Sequence, residues 1–190
     1  MQERHLEGPL RSALADRPVV MLHGARQTGK STLVQWLAQQ EGRRYLTLDD
    51  PAVLSAAGSD PTAFVGGLDG PVALDEVQRV PEIFLAIKAE VDKSRRPGRF
   101  LLTGSANVML LPKLSESLSG RVEILALWPL SQGEIEQRKE GFIDALYGDG
   151  PLSPPDESPV ETPIAERILR GGYPEVVLRL SAKRRRAWFD

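Results

Sequence analysis

The stretch that decides the fold lies at residues 23–32 and reads HGARQTGKST. From Gly24 to Ser31 it matches the pattern G-x-x-x-x-G-K-[ST], in which glycines let the backbone curl so that successive amides point at one anion. A helix that starts near Lys30 would direct the positive end of its dipole at the same anion. The pattern is typical of a phosphate-binding loop, in which Lys30 reaches the β- and γ-phosphates and the Ser31 hydroxyl binds Mg²⁺.

The surroundings of this loop favour a nucleotide site over a glycine-rich turn without function. The full pattern would arise by chance in well under ~1% of chains of this length. An apolar run at Val19–Leu22 precedes the loop, and a helical stretch from about Lys30 to Gln40 follows it. The residues that we expect to bind the nucleotide are Gly24, Ala25, Arg26, Gln27, Thr28, Gly29, Lys30, Ser31 and Thr32.

Short apolar runs alternate with amphipathic stretches between about Arg17 and Trp128. Strands are predicted at residues 19–22, 45–48, 72–74, 100–102 and 122–127. A helix is predicted from Pro81 to about Asp92, with a buried stripe formed by Ile83, Phe84, Ile87 and Val91. Strands that alternate with helices in this way predict an α/β protein whose parallel sheet is covered on both faces.

Two acidic residues, Asp75 and Glu76, follow the predicted strand at 72–74. The carboxyl ends of strands are where ligands bind in open α/β sheets. There Asp75 would hold the Mg²⁺ shell through water, and Glu76 would polarise the attacking water as a general base. Two surface acids that cap the next segment are the alternative, but the phosphate loop upstream favours the catalytic interpretation.

Polar and basic residues near two later strands are further candidates. Thr103 or Ser105, which follow the predicted strand at 100–102, would contact the γ-phosphate or orient the water. Ordinary turn and capping chemistry is the alternative for this segment. Arg121 comes directly before the strand at 122–127 and would act as an arginine finger on the γ-phosphate of a neighbouring subunit. A structural arginine that bridges a helix and a strand is the alternative there.

Composition excludes several other classes of protein. The 190 residues include no cysteine, which excludes disulfides, thiolate metal sites and a cysteine nucleophile. The net charge of −2 excludes a chain that is basic throughout, so we interpret Lys183–Arg186 as a solvated helix face rather than a nucleic-acid site. No run approaches the ~20 apolar residues of a membrane helix and the charged start is not a signal peptide, so we expect a cytoplasmic protein.

Five further motifs accompany GARQTGKST in a characteristic order. They are LDDP at 48–51, LDEVQRVPE at 74–82, LLTGSAN at 101–107, LSGRVEILALWPLS at 118–131 and GGYPE at 171–175. On these motifs the chain resembles the AAA+ ATPases. Within them it is similar to a bacterial and archaeal family of predicted ATP-binding proteins that usually carry a C-terminal domain of unknown function. The resemblance covers nearly the whole chain.

The resemblance implies a P-loop NTPase fold of AAA+ type, a three-layer sandwich with a mainly parallel five-stranded sheet in the order 5-1-4-3-2. It implies an ATP-binding core at residues 1–130, in which the stretch from Arg4 to Leu10 lies near the adenine. Residues 131–190 would begin a helical lid, with a proline-rich flexible loop at 148–163. The implied roles fall on Lys30 and Ser31 in the loop, Asp75 and Glu76 as the acidic motif, Thr103 or Ser105 as first sensor, and Arg121 as finger.

The same resemblance implies an ATPase that uses ATP and Mg²⁺ to change shape, assembling as a homo-oligomer if Arg121 acts in trans. Relatives continue well past Trp188, so we expect either a truncated chain or an ATPase module that stands alone. DNA or protein partners would bind through the C-terminal domain. A nucleotide-gated switch with negligible turnover is the alternative, and a small-molecule kinase is less favoured because the proline-rich loop supplies no arginine.

Overall fold

The structure of the protein is a computed structural model that describes residues 2–105, 120–138, 141–148, 162–178 and 181–189. These residues form two compact units. One unit is Leu6–Trp128, and the other combines Gln2–His5 with the described residues that follow Trp128. Of the segment at 148–163, only Gly148, Thr162 and Pro163 are described, so the predicted flexible loop lies outside the described residues.

A five-stranded parallel sheet forms the centre of the first unit. Its strands are β1 (Val19–Gly24), β2 (Arg44–Thr47), β3 (Val72–Asp75), β4 (Phe100–Ser105) and β5 (Val122–Ala126). They lie in the order β2-β3-β4-β1-β5, which confirms the predicted order. The three interior strands β3, β4 and β1 are almost entirely buried, because both faces and both edges of an interior strand are covered.

Helices cover both faces of this sheet. They are α1 (Glu7–Asp16), α2 (Lys30–Glu41), α3 (Pro51–Ser59), α4 (Pro61–Gly66), a 3₁₀ helix (Val77–Arg79) and α5 (Ile83–Lys93). Successive residues of β1 point to opposite faces, as the period of a strand requires. Met21 packs in one core cluster with residues of α5, whereas Leu22 packs in a second cluster with residues of α1 and α2. The layers are therefore helix, sheet and helix.

The helix α5 confirms the predicted stripe but begins later than predicted. The four stripe residues are fully buried: Ile83, Phe84, Ile87 and Val91. Pro81 is not the first helical residue, because the N–H groups at the start bond to carbonyls three residues back, as in Ile83 N to the Val80 oxygen at 3.0 Å. Pro81 therefore lies in a tight turn that leads into the helix.

Two short helices between β2 and β3 go beyond the sequence prediction, and both start at an Asp-Pro pair. The Asp50 carboxylate accepts the Ala52 N–H at 2.8 Å, and the Asp60 carboxylate accepts the Ala63 N–H at 2.9 Å. Each aspartate satisfies an amide that the first helical turn leaves unpaired, and each proline fits the first helical position. Local capping chemistry explains where α3 and α4 begin.

The second unit contains α6 (Gln132–Glu136), α7 (Phe142–Tyr147), α8 (Ile164–Arg170), α9 (Pro174–Val177) and α10 (Ala182–Phe189). A buried glutamate, Glu134, connects the N-terminal segment Gln2–His5 with the helices of this unit through hydrogen bonds. Its carboxylate pairs with Arg4 at 3.1 Å and accepts the His5 N–H at 2.7 Å. It also closes a capping box with Ser131. Within the described ranges, no helix is both long enough and apolar enough to span a membrane.

Candidate functional site

The loop between β1 and α2 bends sharply because of three backbone positions. A Cβ on Gly24 would lie 2.3 Å from the Leu127 carbonyl oxygen, so only glycine fits at the end of β1. Gln27 and Gly29 both have left-handed backbones, with φ of 64° and 93°. A left-handed residue within an otherwise right-handed turn is the arrangement that forms concave anion-binding sites from main-chain N–H groups. The loop therefore bends at the two positions where the sequence pattern has glycine, and also at Gln27.

Lys30 is the first residue of α2, and its side chain is buried inside this loop. The Nζ donates to the carbonyl oxygens of Gly24 at 3.1 Å and Ala25 at 2.7 Å. Burial lowers the pKa of Lys30, while the nearby Glu76 and Asp75 carboxylates oppose that shift. The loop therefore encloses a cation at the N-terminus of a helix, where an anion gains from both the charge and the helix dipole.

The carboxylate of Asp75, at the end of β3, meets the start of α2. Ser31 Oγ donates to Asp75 Oδ1 at 3.1 Å, across 44 positions in the chain. The Tyr45 hydroxyl, from β2, donates to Asp75 Oδ2 at 2.8 Å. The Thr103 hydroxyl, from β4, donates to Oδ1 as well. Three hydroxyl groups from three separate elements therefore converge on one buried carboxylate.

Glu76 follows in a left-handed backbone conformation, with φ of 60°. Such a conformation is costly for a residue with a side chain, and strained backbone of this kind clusters at functional sites. The Thr103 hydroxyl accepts the Glu76 N–H at 3.2 Å, and the Glu76 carboxylate accepts a hydrogen bond from the Gln78 amide. One threonine therefore contacts both acidic residues, the side chain of the first and the backbone of the second.

The two sensor candidates occupy different environments. Thr103 is fully buried, and its hydroxyl is committed to Asp75 and Glu76. Ser105 is the last residue of β4, is only partly buried, and pairs in the sheet with Gly24 of the loop. The Ala106–Asn107 end of the same motif lies outside the described residues.

Arg121 lies at the end of the sheet where the strands begin, whereas the loop lies at the end where they finish. It precedes β5, whose first residue, Val122, pairs with the first residue of β1, Val19. The length of β1, five residue steps of about 3.3 Å each, separates that end of the sheet from the loop. The Arg121 Nε donates to the Asp92 carboxylate of α5 at 2.6 Å, and this hydrogen bond lowers the pKa of Asp92. Within one subunit, Arg121 therefore bridges a helix and the start of a strand.

Three residues beside the loop were not among the predicted site residues. Tyr45 and Gln78 contact the two acidic residues, and burial is the main cause that raises the pKa of Tyr45 well above its usual value, so its hydroxyl stays protonated. His23, the residue before the last of β1, has a buried Nδ1 with no hydrogen-bond partner among the described residues; burial and then Lys30 lower its pKa. Little in the sequence indicated that Tyr45 and His23 belong to the site, since both lie in or next to apolar strand patterns.

The oxygen atoms at this site fit a magnesium ion. Ser31 and Asp75 bring a hydroxyl and a carboxylate oxygen within 3.1 Å of each other beside the buried Lys30. Mg²⁺ prefers oxygen ligands and is usually bound by one or two carboxylates together with substrate phosphates. The pair therefore matches the donor set that such a site needs.

Comparison with known proteins agrees with this geometry. The profile of the AAA domain family matches residues 16–136. The uncharacterized proteins Mb2031c of Mycobacterium bovis and Rv2008c of Mycobacterium tuberculosis are each 36% identical over 154 residues. That alignment covers 81% of this chain but 34% of either relative, so the chain spans about a third of the length of these mycobacterial proteins.

Two solved structures share the fold. AMPPCP-bound DnaA from Aquifex aeolicus superposes with a TM-score of 0.54 at 16% identity, covering 93% of this chain and 58% of that one. The Walker-type ATPase paby2304 of Pyrococcus abyssi superposes with a TM-score of 0.52 at 18% identity, covering 80% and 61%. At these identities the likeness concerns the fold alone. Because the family profile covers more than half of the chain and the sheet has the predicted order, the protein belongs to the AAA domain family of P-loop proteins.

Proposed function

We propose that this domain binds ATP with Mg²⁺ and hydrolyses it to drive a conformational change. The observation that carries the proposal is the 3.1 Å contact between Ser31 and Asp75, next to a lysine buried in a glycine-bent loop. Residues from the start of a helix and the end of a strand thereby meet at one point. That meeting point is where a triphosphate with its metal is bound in P-loop proteins.

The residues of the loop, Gly24 to Thr32, would bind the triphosphate chiefly through main-chain N–H groups. The Lys30 ammonium would exchange its carbonyl partners for the β- and γ-phosphates, which are stronger acceptors because they are charged. The side chains of Ala25, Arg26 and Gln27 are exposed, so they need not move for a phosphate to approach.

Ser31 and Asp75 would hold the magnesium ion, Ser31 directly and Asp75 through water. When bound, the ion neutralises charge that develops on the phosphates during transfer. Glu76 would accept the proton of the attacking water, since its carboxylate follows Asp75 at the same strand end. Gln78 would hold that carboxylate until the substrate is in place.

We propose that Thr103 positions the two acidic residues and that Ser105 is the group that senses the γ-phosphate. The buried Thr103 hydroxyl is committed to Asp75 and Glu76, whereas Ser105 lies beside Gly24 at the strand ends. A change from Thr103 to valine would then weaken Mg²⁺-dependent binding. A change from Ser105 to alanine would lower turnover and leave binding unaltered.

A neighbouring subunit would complete the site through Arg121, since that residue lies too far from the loop of its own subunit. The Asp92 pair would then hold the arginine until subunits assemble. DNA or protein would be the partner of the whole protein, recruited through the part of the chain that the mycobacterial relatives have in addition. A cytoplasmic location is part of the same proposal.

The central experiment measures ATP binding and phosphate release separately. Lys30→Ala is expected to lose ATP binding, and Glu76→Gln is expected to bind ATP but not release phosphate. Lys93→Ala, which changes an exposed lysine far from the loop, is the control. Unchanged ATP affinity in Lys30→Ala would contradict the phosphate-loop assignment. Binding without single-turnover phosphate release in the parent would favour the nucleotide-gated switch instead.

The role of Arg121 is tested with its partner as a matched control. A finger predicts that Arg121→Ala keeps ATP binding and loses the rise of specific activity with protein concentration, whereas Asp92→Asn keeps that rise. If both variants lower stability alike and neither alters the concentration dependence, Arg121 is only a structural bridge. Light scattering with and without a slowly hydrolysed ATP analogue tests the assembly directly.

A further inference from the structure

Tyr45 contacts the proposed magnesium site from β2, one of the two edge strands of the sheet. Its hydroxyl donates to Asp75 Oδ2 at 2.8 Å, whereas Ser31 and Thr103 donate to the other oxygen, Oδ1. The two carboxylate oxygens therefore have different partners. Oδ1 faces the helix that carries the phosphate loop, and Oδ2 is held by the tyrosine.

The rotation of a carboxylate about its last side-chain bond is otherwise weakly restricted. A donor on each oxygen fixes that rotation. A hydrogen-bond partner behind a metal ligand thereby holds the ligand in the orientation that binds the metal. Tyr45 supplies such a donor, because its phenol hydroxyl donates to Asp75 Oδ2 at 2.8 Å. Its ring is partly buried and packs against the core cluster that includes residues of α2.

We propose that Tyr45 is a positioning residue that sets the Mg²⁺ affinity of the nucleotide site by holding the Asp75 carboxylate in its binding orientation. The inference rests on the proposed function, since it requires that ATP and Mg²⁺ bind at this loop. Tyr45 contacts neither the nucleotide nor the metal and acts only through Asp75. Its removal is therefore expected to alter the Mg²⁺ dependence of binding rather than nucleotide affinity as such.

The test uses the full chain and a fluorescent ATP analogue, first with EDTA and then with increasing Mg²⁺. Tyr45→Phe keeps the ring and removes the hydroxyl, so we expect about a tenfold rise in the Mg²⁺ concentration that gives half-maximal tightening. Affinity in EDTA is expected to match that of the parent. Tyr147→Phe is the control, because Tyr147 is 83% exposed and lies in the other unit.

A double-mutant cycle separates positioning from general structural damage. If Tyr45 acts through Asp75, Tyr45→Phe has no further effect on the Mg²⁺ dependence once Asp75→Asn is present. Additive effects of the two changes overturn the inference, as does an unchanged Mg²⁺ dependence in Tyr45→Phe alone, although the proposed function then still stands. A parent whose binding does not respond to Mg²⁺ overturns both. If Tyr45→Phe is less stable than the parent, the same Mg²⁺ titration and the same cycle are measured at a temperature below its melting transition. An unchanged Mg²⁺ dependence of the folded variant there overturns the inference equally.

Discussion

Gln27 of the phosphate loop has a left-handed backbone, a conformation that glycine adopts more easily, and replacing it with glycine is therefore expected to change the stability. Gln27 has φ of 64° in the loop, with an exposed side chain. A left-handed backbone costs a residue with a Cβ roughly 1–2 kcal/mol. Glycine avoids that cost but gives up about 0.4–1 kcal/mol through the greater freedom of the unfolded chain. Gln27→Gly is therefore expected to raise the free energy of unfolding by roughly 0.5–1 kcal/mol.

The matched control is Gln27→Ala, which removes the amide group but keeps the Cβ and hence the strain. Chemical and thermal denaturation without nucleotide, both followed by circular dichroism, compare the two variants directly. Gln27→Gly is expected to be the more stable of the two. For a chain of this size, each kcal/mol of stability raises the melting temperature by about 2–4 °C. If the two variants have equal stability, the backbone at Gln27 is not strained and the reasoning fails.

The same pair of variants tests whether the loop acts through its main chain. Because Gln27 would contribute an N–H group rather than its side chain, ATP affinity in both variants is expected to stay within about twofold of the parent. A tenfold loss in both would show that the amide side chain contacts the nucleotide. A loss in Gln27→Gly alone would show that the strain preorganises the loop.

Three further predictions concern packing, capping and protonation. Gly24→Ala is expected to lower stability by roughly 1–3 kcal/mol in denaturation, because its Cβ would lie 2.3 Å from the Leu127 oxygen. Gly58→Ala, in an open helical position, should instead raise stability by about 0.5–1 kcal/mol, and equal behaviour of the two would refute the clash. Asp50→Ala is expected to cost about 1 kcal/mol through loss of the α3 cap, and Asp50→Asn far less. Burial lowers the pKa of Lys30 and a bound anion raises it, so ATP binding should take up protons and weaken as pH rises through the lowered pKa. Calorimetry in two buffers of different ionisation enthalpy, repeated at several alkaline pH values, measures that uptake, and its absence at all of them would contradict a buried Lys30 ammonium.

The sequence by itself determined the sheet, the phosphate loop and the position of the acidic pair at a strand end. These features depend on local chemistry: apolar runs form strands, glycines permit the sharp loop, and Asp75 ends its strand wherever that strand lies. Through the resemblance, the motif order also gave the correct strand order β2-β3-β4-β1-β5. The start of α5 was predicted two residues early, because proline at 81 is equally suited to a tight turn.

Only the tertiary structure decided how side chains from different strands share their hydrogen bonds. Tyr45 and Thr103 lie 30 and 28 positions from Asp75 in the chain, yet both donate to its carboxylate. The pairing of Arg121 with Asp92 and of Arg4 with Glu134 likewise crosses long stretches of sequence. Such contacts depend on the register between neighbouring elements and on the rotamer that each side chain adopts once packed. Neither quantity is encoded in a local pattern, because packing against the rest of the core selects both.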